Sequence, residues 1–142
     1  IESKKLEIEF NCDEDMFVMA DTDSIHQVVY NLTENAVKFC NVGGTLSISV
    51  GKEGKKAFFE IKNTGDGIPK EELPLLFERF YKSDRSRGLD KTGMGLGLYI
   101  VKTNLASHGE GISVTSEAGE FTCFRFSLPL APQIISTAGI KR

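Results

Sequence analysis

Two alternating runs, TLSISV and KAFFEIKN, flank the short stretch GKEGK at residues 51–55. Period-two alternation on both sides of a Gly-bearing break is the signature of a β-hairpin. A lone hairpin is marginal in water, so one of its faces needs a cover. The best candidate lies just upstream. SIHQVVYNLTENAVKF, Ser24 to Phe39, carries helical periodicity and follows ADTDS, a run of capping residues.

The same reading continues along the chain. KLEIEF is a strand and MFVMA a short second one. KEELPLLFERFY gives one or two helical turns broken by Pro74. KSDRSRGLDKTGMG has no apolar period and reads as a long loop, of the kind that is functional or disordered. LGLYIVKTNLASH is a second amphipathic helix, and GISVTS and FTCFRFSLP are the last strands. The order is not a regular βαβ alternation. It predicts an α+β, two-layer α/β sandwich: a mixed, mostly antiparallel sheet with about three helices on one face. Residues 1–130 make one domain, and 131–142 a loosely held tail.

Composition narrows the function. A net charge of −3 argues against a protein that holds nucleic acid by bulk electrostatics. With no Trp, the core must lean on 10 Phe. Cys12, Cys40 and Cys123 lack metal spacing and read as reduced thiols. No apolar run approaches the ~18 residues of a membrane span. The N-terminus lacks Met and is no signal peptide, so a piece of something longer is expected.

On a helical wheel Asn31, Asn35 and Lys38 share a strip about 60° wide. It borders an apolar arc of about 80° made by Ile25, Val28, Leu32, Ala36 and Phe39. Half-buried amides need partners. Either they bridge neighbouring backbone, or they meet an oxygen-rich ligand, with an amide oxygen on a hard cation and Lys38 on phosphate. NTGDGIP offers two glycines, Gly65 and Gly67, beside Asn63, whose amide could read a purine edge; alternatively it is a plain turn. GMGLGLYIV sets Gly93, Gly95 and Gly97 at the start of a helix, where free N–H groups can hold phosphate. It fails as a dinucleotide fingerprint, and no P-loop is present.

NLTENAVKF, NTGDGIP, LFERFY and GMGLGLYIV, in this order and spacing, resemble the N, G1, F and G2 boxes of sensor histidine kinases. The similarity runs from about Lys5 to Pro129. It is to the catalytic ATP-binding domain, the Bergerat fold of the GHKL group. The resemblance implies ATP and Mg²⁺ as cofactors and Asn35 as the metal ligand. It implies phosphate contacts from Asn31, Lys38 and Arg79, and nucleotide contacts from Phe39, Asn63, Gly65, Gly67 and Ile68. It adds Tyr81, Lys82, Gly93, Met94, Gly95, Leu96, Gly97, Leu98 and Thr122 to the nucleotide pocket. An ATP lid would span about residues 80–94, with Arg85 and Arg87 as further candidates to meet phosphate.

Two departures stand out. Asn63 occupies the place of the family's adenine-binding Asp, which is expected to weaken binding by about 1 kcal/mol. Phe121 stands where a second Gly is common and is expected to fill core. The histidines lack the phosphoacceptor context: His26 reads as helix surface, and His108 as a helix end where a cation suits the dipole. The resemblance therefore implies transfer of the γ-phosphoryl group to a histidine on a separate helical-hairpin dimerisation domain, then to a response regulator. It implies a monomeric fragment, cytoplasmic, of a homodimeric membrane sensor. A hydrolytic ATPase of the same fold would need a Glu at position 31, where this chain has Asn. A non-catalytic interaction module is the other alternative, supported by Asn63 and Phe121.

Overall fold

The computed structural model describes residues 6–12, 17–78 and 97–131. Five strands form one sheet in the order β1-β2-β3-β5-β4. They are β1 Glu7–Cys12, β2 Thr45–Glu53, β3 Lys56–Thr64, β4 Ile112–Glu117 and β5 Phe121–Pro129. β1 runs parallel to β2, and the other pairings are antiparallel. Helices α1, Thr22–Phe39, and α2, Gly97–Ala106, accompany a 3₁₀ segment, Lys70–Leu75, that contains Pro74. This is the mixed two-layer architecture expected from the pattern.

The hairpin closes more tightly than its sequence suggests. Glu53 pairs with Lys56, so only Gly54 and Lys55 remain in the turn. The helix begins at Thr22, and Asp21 caps it by accepting from the Ser24 N–H at 2.9 Å. That bond holds the Asp21 carboxyl below the usual carboxylate range.

The core follows from the helix period. Val28, Leu32 and Ala36, four residues apart, are buried against Leu46, Ile61, Phe124 and Phe126 of the sheet. Val101 and Leu105 of α2 join them. The opposite sheet face carries polar and stacked pairs. Arg125 lies 4.2 Å above the Phe58 ring, and Lys62 4.4 Å above Phe121.

Two expectations need correction. Of MFVMA, residues 17–20 are described, and they make one bridge, Val18 to Leu130, rather than a strand. Val18 and Ala20 pack on the core while Met19 stays exposed, and the Met19 N–H donates to the Pro129 carbonyl at 3.0 Å, so the bridge is held by backbone as well as side chains. Phe121 does not fill core: it is half-buried beneath Lys62 and outside the buried cluster, because β5 alternation sends Thr122 and Phe124 inward instead. His108 lies in the turn just past the end of α2, as expected, and reaches the start of α1. Its Nε2 accepts the Asp21 backbone N–H at 2.9 Å, a bond that needs a lone pair. Ala131, read as the first residue of the tail, is tied back by donating to the Phe17 carbonyl at 2.7 Å; residues from 132 onward lie outside the described ones.

Candidate functional site

α1 and α2 run antiparallel, and one end of that pair assembles the polar strip. Asn31, Asn35 and Lys38 are all half-buried. The Asn31 Nδ2 donates to the Gly97 carbonyl at 3.4 Å, joining the strip to the first residue of α2. Gly97 is exposed there, and Leu98 turns inward onto the core. Lys38, in the last turn of α1, places its Nζ 5.6 Å from the centroid of the Phe39 ring. Glu34 is exposed, away from the Asn31–Asn35 strip.

Asn63 sits at the end of β3, only 2% exposed, level with Leu46 on one side and Thr122 on the other. Its Nδ2 donates to the Thr64 carbonyl at 3.0 Å. The same carbonyl accepts the Asn41 N–H at 3.2 Å, while the Thr64 hydroxyl donates to Asn41 Oδ1 at 2.6 Å and accepts the Thr45 N–H at 3.0 Å. This network fixes the Asn63 amide, with its nitrogen committed to the backbone and its Oδ1 turned the other way as an acceptor.

The glycine loop after β3 is clasped by the chain itself. A Cβ on Gly65 would lie 2.6 Å from the Phe39 carbonyl oxygen. At Gly67, φ is +74° and a Cβ would lie 2.4 Å from the Glu117 carbonyl oxygen. The sequence suggested glycine for ligand approach; the structure adds a demand from close backbone packing. Ile68 packs on the core, and its N–H donates to Ser116 Oγ at 2.8 Å. Ser116 in turn donates to the Phe121 carbonyl at 2.7 Å and lies 3.3 Å from the hydroxyl of Thr122, which is 4% exposed.

Ser116 escaped the sequence reading. The available signal was a hydroxyl on the inward phase of ISVTSE, in step with Ile112 and Val114. Asn31, Asn35, Lys38 and Phe39 share the C-terminal half of α1, whereas Asn63, Gly65, Gly67, Ile68 and Thr122 gather where β3, β5 and the glycine loop meet. Arg79, Tyr81, Lys82, Gly93, Met94, Gly95 and Leu96, and the lid expected at about 80–94 with Arg85 and Arg87, lie outside the described residues.

Among the described residues no cluster of three His, Cys, Asp or Glu side chains forms a ready cage for a metal. A hard cation on the Asn35 amide oxygen would complete its shell with phosphate and water oxygens, the common arrangement for Mg²⁺ at nucleotide sites. The chemistry of the strip fits such a shared ion.

Known proteins place this arrangement. The histidine kinase-, DNA gyrase B- and HSP90-like ATPase family matches residues 20–132. The sensor histidine kinase WalK of Bacillus subtilis is 40% identical over 119 residues, covering 82% of this chain and 20% of WalK. The nucleotide-free catalytic domain of the histidine kinase ThkA superposes with a TM-score of 0.78 at 27% identity, covering 92% of this chain and 84% of that one. Full-length ShkA in complex with AMPPNP gives 0.76 at 28% identity, covering 93% of this chain and 27% of ShkA. The chain thus spans about a fifth of the curated relative's length. It belongs to the histidine kinase-, DNA gyrase B- and HSP90-like ATPase family, as a catalytic ATP-binding domain of the sensor histidine kinase kind.

Proposed function

We propose that this domain binds Mg–ATP and donates its γ-phosphoryl group to a histidine on a separate helical-hairpin domain, from which a response regulator takes it. The observation that carries the reading is the Asn31–Asn35 strip set against the first residue of α2 by the Asn31–Gly97 bond. ShkA, a structural relative, was captured with AMPPNP, an ATP analogue.

The residues divide the work in a way that suits a loose transition state, where positioning and charge neutralisation dominate. Asn63 Oδ1 accepts from the exocyclic amine of adenine, with Thr122 and the Gly65–Ile68 loop shaping the floor. Asn31 and Lys38 meet the phosphates, and Asn35 would hold the cation, which would supply charge neutralisation there. The α2 N-terminus offers N–H groups to the same oxygens. The incoming imidazole nitrogen attacks the γ-phosphorus in line, a P–N bond forms, the P–O bond breaks, and ADP leaves with the electron pair.

Asn31 also argues against water as the acceptor, because an amide cannot take its proton. Among the described residues no helix is long and apolar enough to cross a membrane, and the sensor, any membrane segment and dimerisation belong to the rest of the proposed kinase.

The test is calorimetric titration with Mg–AMPPNP, followed by transfer from labelled ATP to a supplied hairpin domain. Binding and transfer are expected for the parent protein, with both lost or sharply reduced in Asn35→Ala. Unchanged affinity and transfer in that variant would overturn the assignment. Rapid steady-state hydrolysis without an acceptor would favour an ATPase instead, and no binding at millimolar nucleotide would favour an interaction module.

A further inference from the structure

The two helices that carry the polar strip are tied together at both ends. At the site end the tie is Asn31 to Gly97. At the far end Asn104 Nδ2 donates to the Ser24 carbonyl at 3.2 Å, and the Asp21 backbone N–H donates to His108 Nε2 at 2.9 Å across 87 positions of sequence. His108 Nδ1 lies 2.8 Å from the Asn104 carbonyl, which also accepts the Ser107 hydroxyl at 2.7 Å.

The chemistry of this tie is restrictive. A backbone N–H only donates, so Nε2 must present its lone pair. A carbonyl only accepts, so the ring proton must sit on Nδ1. One neutral tautomer satisfies both bonds at once. Among the charged groups nearby, the Asp21 carboxylate accepts from the Ser24 N–H and also acts electrostatically on the His108 ring, Glu110 is paired with Lys56 at 2.9 Å, and Asp23 sits in the exposed first turn of α1. The tautomer is set against that field by the two backbone bonds.

We infer that His108, held as the Nδ1–H tautomer, is a positioning residue that sets the crossing of α1 and α2 and thereby the spacing of Asn31 and Asn35 from the start of α2. The inference rests on the function proposed above. Ser24 and Asn31 are seven positions apart on α1, roughly 10 Å of stiff helix. A tilt permitted at one end therefore reappears at the other.

Three measurements test it together. In the free protein, imidazole nitrogen shifts in NMR should report a bare Nε2 and a protonated Nδ1. His108→Phe should bind Mg–AMPPNP about tenfold more weakly, the scale of one lost hydrogen bond, at a temperature well below its melting point. Its backbone amide shifts should move at Asn31 and Gly97 and stay fixed in β3 and β5. His108→Gln, whose side-chain oxygen can accept the Asp21 N–H, should restore affinity. If the Phe variant fails to fold, Asn104→Ala, which removes the bond to Ser24, should weaken affinity in the same direction. An Nε2–H tautomer, or parental affinity in His108→Phe or Asn104→Ala, would overturn the inference. If the parent protein itself does not bind nucleotide, the proposed function falls, while the tautomer and the Asn31 and Gly97 shifts still decide the helix tie.

Discussion

At the scale of single residues, Gly67 shows how a motif letter can have two causes. With φ at +74° and Glu117 backbone against the missing Cβ, Gly67→Ala should destabilise the fold by about 2–4 kcal/mol, measured by urea denaturation. Cys123 offers a second check. Burial, aided by the Glu60 carboxylate 3.4 Å from Sγ, pushes its thiol up to about 11. The folded state thus keeps this proton longer than the unfolded chain does. The resulting stabilisation is present below pH 9 and lost as pH rises towards 11. Thiol labelling of the native protein at pH 8 should modify exposed Cys12 and spare Cys123, as followed by mass spectrometry. What could be read at this scale was the identity of the amide strip, because a wheel needs only helical periodicity. The orientation of the Asn63 amide could not be read. It depends on Asn41, 22 positions earlier, brought beside Thr64 only by the finished fold. The same holds for His108, whose partner Asp21 is 87 positions away.

At the scale of elements, α1 serves both the core and the candidate site. It supplies core through Val28, Leu32 and Ala36 and the polar strip through Asn31 and Asn35. Leu32 has no exposed surface, so Leu32→Ala should cost about 3–5 kcal/mol in chemical denaturation, the range for a buried leucine that leaves a cavity. The helix, the hairpin and the last two strands were legible because each repeats its pattern over several turns or pleats. MFVMA misled because five apolar-rich residues cannot distinguish a strand from a bridge with two side chains in the core. Phe121 misled for a different reason. Hydrophobicity predicts burial, but strand phase decides which face receives the ring, and here Lys62 covers it.

At the scale of the whole molecule, the sheet order could not have been read from local pattern. β1 crosses over α1 to lie parallel to β2, and β5 inserts between β3 and β4. The four boxes signalled the family before any of this was visible, since their spacing reflects a shared arrangement in space. The sheet is held unevenly. All six residues of β1 are exposed, Phe10 to 67%, and its only neighbouring strand among the described residues is β2. With so little apolar surface shielded, its amide protons should trade with deuterated water far sooner than those of β3 and β5, a contrast readable by mass spectrometry of peptic fragments. Equal protection across the three strands would contradict this. Mechanical load reaching the domain through Leu6 would peel this outermost ribbon first, while the central strands β3 and β5 stayed paired.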